Sequence, residues 1–477
     1  MSVAAVTALL AWGALAFGAV YPWGFGPLAA VILAMAAWRW RPRLRVRALP
    51  LAALLLAGAV ALQLAPLPRP LLEGVSPGAG SVLSRLDVAF ANGITSTHPL
   101  SIDPGGTLLA LAGLVLGLLW VATCGAVLRQ RSALRALARQ LAVLGTVVAV
   151  VGLAQKATFN DRILWFWTPE FFAHNGFGPF VNRNHFAGWM LLALSVSVGL
   201  LFASVRRSAL PPGAGLRDRI LWVGSPAATP ALLAGAGALV MACSLVWTMS
   251  RSGIAAAAVA LGIMAAAAVS RSAGSRQRWR LAAYVVTAAA GVAAWRGAGA
   301  LADWYGNTAT LQWRVQLWKD SLPALQDFWL TGSGLNTYAT LLLVYPRTDV
   351  TVMPRAAHND YLQLAIEGGI LVGVPALILL ATLARSIVRA VRTPQDGTTW
   401  WIRMGAIAGL CGIGVQELSE FSLQVPGAAL LCATCVAIAV HEPLRLQSRE
   451  ATREHARSSG PARLRRGAGL APAAVAR

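Results

Sequence analysis

Residues 106–127 read GTLLALAGLVLGLLWVATCGAV, a stretch without a charged side chain. A helix that crosses a bilayer needs roughly 20 such residues. Similar stretches recur along the chain, which is 57% hydrophobic and only 12% charged, whereas soluble domains carry about 25% charged residues. The pattern therefore predicts an all-α polytopic membrane protein with about twelve transmembrane helices.

The predicted spans lie between short polar turns and a few longer segments. They cover residues 3–20, 26–38, 49–67, 106–127, 138–155, 184–204, 228–249, 253–270, 281–298, 365–384, 401–415 and 426–441. The first is interpreted as an uncleaved helix, because no basic segment precedes it and further spans follow it directly. The predicted transmembrane domain covers residues 1–442, and the Arg-rich tail at 443–477 is predicted to be disordered.

The net charge of +22 is explained by topology. The basic residues cluster between predicted spans and in the tail, at Arg39, Arg41, Arg43, Arg45 and Arg47; at Arg129, Arg131, Arg135 and Arg139; at Arg206, Arg207, Arg217 and Arg219; at Arg271, Arg276, Arg278 and Arg280; and at Arg385, Arg389, Arg392 and Arg403. Twelve spans with a cytoplasmic N-terminus place all of these clusters and both termini in the cytoplasm, as the positive-inside rule requires. No nucleic-acid partner is needed to account for the charge.

Three predicted extracytoplasmic segments are long enough to contribute to a site: residues 68–105, 156–183 and 299–364. The last contains its own helical pattern between spans nine and ten, in which Leu and Trp recur over 311–325 with Arg314 and Lys319 between them. This periodicity is typical of a helix lying in the membrane interface. We expect that helix to cover a site.

Several arginines stand at the predicted outer edge. Arg251 lies between Ser250 and Ser252, at a turn between two apolar spans, and burying such a charge near lipid costs at least ~2.5 kcal/mol. Arginine binds phosphate oxygens two at a time, so this arrangement favours an anionic substrate. The other candidates on this side are Arg183, His185, Arg314 and Arg355. The alternative is that they are interfacial or solvated charges.

His358 is the candidate general base, because imidazole exchanges a proton near neutral pH. Asn359 and Asp360 follow it, and Glu367 begins the next predicted span. A lone histidine is also commonly a hydrogen-bonded structural residue. The carboxylates that can orient its ring are Asp360, Glu367, Glu417 and Glu420, and spacing does not choose among them.

Motifs of several other enzyme classes are absent from the sequence. It contains no Asp-x-Asp pair, no His-Glu-x-x-His and no Walker loop. Metal-dependent transfer from nucleotide sugars, zinc hydrolysis and NTPase activity are therefore disfavoured. No metal and no cofactor is expected.

The polar motifs resemble, in their order and topology, those of the O-antigen ligase and polysaccharide polymerase superfamily of GT-C-like membrane glycosyltransferases. The matching pieces, within residues 145–425, are Asn182-Arg183-Asn184-His185, Ser250-Arg251-Ser252-Gly253, Arg314 with Trp318, Gly332-Ser333-Gly334-Leu335-Asn336, His358-Asn359-Asp360-Tyr361-Leu362-Gln363 and Glu367-Gly368-Gly369. Each motif alone is short, and the ordered set carries the resemblance.

The resemblance implies a bacterial inner-membrane enzyme whose site faces the periplasm and whose donor is a glycan on undecaprenyl pyrophosphate. It implies metal-independent, inverting transfer, with Arg251 and Arg314 on the donor diphosphate, Arg183 assisting and His358 activating the acceptor. His185, Arg355, Asn359, Asp360 and Glu367 are the further expected substrate-binding residues. The acceptor is left open among a second glycan (polymerase), lipid A core (ligase) and a protein hydroxyl (protein O-oligosaccharyltransferase).

Two other classes remain open. A transporter or flippase also fits twelve spans, but it predicts polar groups near the bilayer midplane on broken spans, whereas the charges here gather at the span ends. A structural scaffold predicts that the outer arginines and His358 are dispensable.

Overall fold

The computed structural model describes residues 2–38, 48–129, 132–169, 175–208, 215–271, 309–349 and 353–441. The helices are α1 (Val3–Leu15), α2 (Pro22–Trp38), α3 (Ala48–Leu62), α4 (Arg69–Val75), α5 (Pro77–Leu86), α6 (Val88–Ala91), α7 (Pro104–Val127), α8 (Ala133–Ala157), α9 (Arg183–Arg207), α10 (Leu216–Val223), α11 (Thr229–Trp247), α12 (Arg251–Ser270), α13 (Ala309–Asp327), α14 (Tyr338–Leu341), α15 (Asp360–Arg392), α16 (Gly397–Gln416) and α17 (Pro426–Val440). Short 3₁₀ turns cover Phe17–Ala19 and Ser422–Gln424.

Six helices in the described ranges are long and apolar enough to cross a membrane: α7, α8, α9, α11, α12 and α15. Helices α1, α2, α3 and α17 are apolar but shorter. The chain is therefore a multi-pass helical membrane protein. The predicted span 401–415 lies within α16, which contains Arg403 and is not in this set. The predicted span 281–298 lies outside the described residues, so the count of twelve stays a prediction.

Helix α9 is the centre of the bundle, with 83% of its most apolar 18 residues buried. It packs against α8, α11, α12, α16 and α17. Its approach to α16 depends on glycine: a Cβ at Gly405 would lie within 2.4 Å of the Ser195 carbonyl oxygen, and one at Gly199 within 2.5 Å of that of Trp401. Small residues let membrane helices pack backbone to backbone, so α9 and α16 approach each other closely.

A second hydrophobic core lies at one end of the bundle and joins two segments that are far apart in sequence. The first segment lies between α3 and α7. Its residues Leu72, Leu83 and Phe90 pack with Leu317 in α13 and with Phe328, which follows α13. The first segment also forms a short antiparallel pair of strands, β1 (Pro66–Pro68) and β2 (Thr97–Pro99), which the prediction of an all-α fold did not include. The predicted helix over 311–325 is confirmed as α13, and it packs on this second core.

Helix α15 is broken near its start by the segment that follows α13. Gly369 has φ 56° and ψ −160°, outside the helical region, and the freed carbonyls of Ile366 and Glu367 accept hydrogen bonds from the N–H groups of Ser333 and Gly334 at 3.2 and 3.0 Å. A Cβ at Gly332, whose φ is +69°, would lie 2.1 Å from the backbone carbonyl oxygen of Glu367. The two glycine motifs therefore interlock, backbone to backbone, and set the direction in which α15 starts.

Candidate functional site

Glu420 is the centre of the candidate site, and it lies in the loop between α16 and the 3₁₀ turn. Its side chain is only 1% exposed. One carboxylate oxygen, Oε1, accepts hydrogen bonds from Arg314 Nη2 at 2.7 Å, Asn184 Nδ2 at 2.7 Å and Ser252 Oγ at 3.3 Å. One buried carboxylate therefore ties α13 to the N-terminal ends of α9 and α12.

His358 faces the other oxygen of the same carboxylate. Its Nδ1 lies 3.7 Å from Glu420 Oε2, longer than a hydrogen bond. Both atoms are buried and, among the residues that the structure describes, neither has a hydrogen-bond partner. A small movement of the ring is enough to join them. Of the four carboxylates left open by the sequence, the structure places Glu420 beside the ring of His358.

The backbone and two aromatic rings orient His358. Its φ is +50°, a conformation that few non-glycine residues adopt. Asn359 then caps α15, its side chain accepting from the N–H groups of Tyr361 and Leu362 at 3.1 and 3.0 Å. The imidazole lies edge-on to Phe421 and to Trp313, with 4.8 and 5.7 Å between the ring centroids. With 22% of its side chain exposed, His358 is held in place but remains accessible.

The electrostatics of Glu420 follow from this arrangement. Burial raises the pKa of its carboxyl, but the interaction with His358 and the charge of Arg314 outweigh it, so that the pKa lies below its ordinary value. Glu420 is therefore ionised at neutral pH. Ionised, it holds the Arg314 guanidinium, whose Nη1 also donates to the Ser419 carbonyl.

Arg183 and Arg251 belong to the same electrostatic cluster. Arg183 begins α9 and Arg251 begins α12. Arg183 is attracted by Glu420 and repelled by Arg251 and Arg314. The three guanidinium groups thus exceed the neutralising charge of Glu420 by two.

The carboxyl groups of Glu417 and Asp360 form a pair beside Glu420. Burial and the charge of Asp360 raise the pKa of Glu417, which disfavours two negative charges on the pair. With one negative charge on the pair, the three guanidinium groups still outweigh the carboxylates. Asp360 also accepts a hydrogen bond from Gln424 Nε2 at 2.7 Å, which connects the start of α15 to the same loop.

The remaining predicted site residues have different surroundings. His185 is buried, and its ring lies 4.7 Å from Phe421, on which His358 also packs. Glu367 is buried and accepts from the N–H groups of Asn336 and Tyr338 at 2.9 and 2.8 Å. These contacts make Glu367 part of the interlocked glycine loop. Arg355 is exposed.

The loop 417–425 contributes more to the site than the sequence predicts. Phe421 lies edge-on to both imidazoles, and Asn184 and Ser252 donate hydrogen bonds to Glu420. Asn184 and Ser252 stood inside the quoted motifs and were overlooked as side chains. Phe421 had no signal of its own, because a single aromatic residue after a predicted span is unremarkable.

The convergence of these motifs agrees with a comparison to known families. A family model described as O-antigen ligase matches residues 236–381. This match confirms the resemblance to the O-antigen ligase and polymerase superfamily, and it includes Arg251, Arg314, His358 and Glu367. Nothing among the curated proteins matches the chain. The match supports an activity of the ligase and polymerase type in general terms.

Proposed function

We propose that this protein transfers or polymerises a polysaccharide from an undecaprenyl-pyrophosphate-linked donor to an acceptor hydroxyl, as an O-antigen ligase or a polysaccharide polymerase. The observation that carries the proposal is Glu420, which binds Arg314 through one oxygen and faces His358 with the other, 3.7 Å from Nδ1. A basic anion-binding group and a candidate base thereby share one buried carboxylate, with further cations close by.

The arginines would bind the diphosphate of the donor. Arg183 and Arg251 each begin a helix, where backbone N–H groups add to the attraction for an anion. Arg314 is held by Glu420 and contributes its charge from a fixed position. Breaking the bond between sugar and phosphate develops negative charge on the leaving diphosphate, and prearranged cations stabilise that charge in the transition state.

His358 would activate the acceptor. With Glu420 beside Nδ1, the proton of the neutral ring belongs on that nitrogen, and Nε2 carries the lone pair. Nε2 removes the proton of the acceptor hydroxyl while the hydroxyl oxygen forms the new bond to C1 of the sugar. The bond from C1 to the phosphate oxygen breaks, and its electron pair leaves with the diphosphate. Attack from the opposite face inverts C1, and the step as written uses no metal.

The proposal includes a topology of twelve spans with both termini in the cytoplasm and the site on the periplasmic side of the inner membrane. The charges at the ends of single helices support it. Helix α9 ends at Arg206 and Arg207, and α15 ends at Arg389 and Arg392, whereas both helices begin at the site. The positive-inside rule assigns the arginine-rich C-terminal ends of both helices to the cytoplasm.

The test is reconstitution of the purified protein with a lipid-linked oligosaccharide. His358→Ala is expected to abolish transfer, whereas His98→Ala, which replaces a histidine of strand β2 with neighbours Asp87 and Phe90, is expected to retain it. Longer lipid-linked chains indicate a polymerase. Transfer to lipid A core indicates a ligase. Transfer to a protein indicates a protein O-oligosaccharyltransferase. Full transfer by a folded His358→Ala protein would exclude His358 as the base.

A further inference from the structure

A cavity lies at the end of the helical bundle that is opposite the candidate site. Helix α9 runs from Arg183 at the site to Arg207 at the cavity, and its 25 residues span about 37 Å at 1.5 Å per residue. Helices α8, α11 and α16 also each have one end here. The cavity is therefore on the other face of the membrane and separate from the chemistry proposed above.

Its lining has a basic part and an apolar part. Arg135 and Arg139 come from the first turns of α8, and Arg207 comes from the last turn of α9. The other wall consists of small or apolar residues and hydroxyls: Leu200, Ala203, Ser204, Ser208, Pro226, Ala227, Pro230 and Thr398. The volume is about 280 Å³, near the lower end of the ~300–1,000 Å³ typical of small-molecule pockets.

The electrostatics of the cavity favour an anion. The N-terminal ends of α8, α11 and α16 meet there, each with a partial positive charge, against the partial negative charge at the C-terminal end of α9. Arg135 and Arg139 stand at such an end, where a cation is unfavourable unless an anion accompanies it. Asp396 is an acidic neighbour within electrostatic range of Arg135. Its carboxylate caps α16 by accepting from the N–H groups of Thr398 and Thr399, and it balances only one of the three arginines.

One of the arginines is already positioned. Arg207 Nη2 donates to Thr398 Oγ1 at 2.8 Å, which fixes the guanidinium at the wall between α9 and α16. The fork of an arginine matches two oxygens of a phosphate group. The apolar wall suits the glycerol and the first methylenes of a lipid whose phosphate meets the arginines.

We propose that this cavity binds the phosphodiester headgroup of an anionic phospholipid of the surrounding leaflet. The position at the ends of membrane-spanning helices, the excess of positive charge and the mixed lining together favour a lipid over a free anion. Basic pockets between membrane helices bind anionic headgroups in this way.

The experiment measures lipid binding to the full-length protein in a neutral detergent, by native mass spectrometry and by the melting temperature. The probes are phosphatidylglycerol, phosphatidylcholine and inorganic phosphate. We expect phosphatidylglycerol to be retained and to raise the melting temperature, and the other two to have little effect. Equal binding of both lipids by the wild-type protein would overturn the proposal without any variant. Equal protection by inorganic phosphate would replace the lipid with a free anion.

The double variant Arg135→Gln with Arg139→Gln tests the location. Both side chains are exposed at a helix end, and we expect the affinity for phosphatidylglycerol to fall roughly 30-fold, from the attraction of two arginines near a membrane surface. The matched control is Arg385→Gln with Arg389→Gln, two exposed arginines near the corresponding end of α15. It removes the same charge and is expected to retain binding. An equal loss in both double variants would indicate attraction by net charge and would overturn the site.

Discussion

The substitution Glu420→Gln separates the charge of the central carboxylate from its shape. The amide keeps an acceptor oxygen for Arg314 Nη2 and Asn184 Nδ2, which now lie 2.7 Å from Oε1. It places an N–H donor toward His358 Nδ1, where the wild-type protein has a carboxylate oxygen at 3.7 Å. A donor there favours the tautomer protonated on Nε2. The nitrogen that faces the acceptor then has no lone pair with which to remove a proton.

The size of the effect follows from the loss of the base. General-base catalysis contributes about 10²–10⁴-fold, and replacing the carboxylate by an amide in a comparable His–Asp pair lowers kcat by ~10⁴. We therefore expect Glu420→Gln to lower kcat by about 10²–10⁴-fold, or roughly 3–5 kcal/mol of transition-state stabilisation. The KM for the lipid-linked donor is expected to change much less, because the arginines remain.

Stability provides a second readout with a defined pH dependence. The pKa of Glu420 is lowered in the folded protein: burial raises it, but His358 and Arg314 outweigh burial. A lowered carboxyl pKa stabilises the fold fully above the unfolded value of about 4.3, and this stabilisation is lost as the pH falls through the folded value. The melting temperature of the wild-type protein is therefore expected to approach that of Glu420→Gln at acid pH.

The assay is turnover of the reconstituted protein, and the matched control is Glu417→Gln. Glu417 is buried in the same loop, but burial and the charge of Asp360 raise the pKa of its carboxyl, which favours the protonated form. An amide there imitates the wild-type state and is expected to leave kcat within a few-fold. Wild-type turnover by Glu420→Gln would refute the role of Glu420. Equal losses in both variants would assign the effect to packing of the loop.

Three further outcomes are expected. Arg251→Lys keeps the charge but loses the planar fork, so we expect kcat to fall by about tenfold or more; an unimpaired lysine variant would indicate a simple interfacial charge. Gly332→Ala places a Cβ 2.1 Å from the Glu367 carbonyl oxygen at a φ of +69°. It is expected to lower the free energy of unfolding by more than about 2 kcal/mol, measured as a lower melting temperature. The control Gly373→Ala, where nothing lies within 4 Å of the added Cβ, is expected to be tolerated. Chelator treatment is expected to leave turnover unchanged, and a loss that added magnesium reverses would contradict the metal-free step.

Part of the fold was predictable because a membrane restricts the choices. Within a bilayer the backbone must satisfy its own hydrogen bonds, so a long apolar stretch becomes a helix, as at α7 and α9. The break in α15 was not predictable in the same way. Glu367-Gly368-Gly369 lies in an apolar, helix-like pattern, and only the approach of Gly332-Ser333-Gly334 from elsewhere in the chain shows why the helix opens there.

The candidate site shows a similar division. A positive charge beside an apolar span is costly wherever it occurs, so Arg251 was identifiable from the local sequence, whereas Arg314 stood out only through the helical pattern around it. Their grouping was not identifiable, since Arg314 and Glu420 are 106 positions apart and meet through a 2.7 Å contact. Spacing along the chain carries no information about such a distance.

The sequence by itself determined that this is a multi-pass helical membrane protein, which side chains are expensive near lipid, and which superfamily the motifs resemble. Tertiary structure alone decided which carboxylate lies beside His358, and that Glu367 holds a loop. The physical reason is range. Hydrophobicity and charge burial act on each residue through its solvent, so they can be read one stretch at a time. A hydrogen bond or an ion pair depends on positions to within about an ångström, and those positions exist only after the helices have packed.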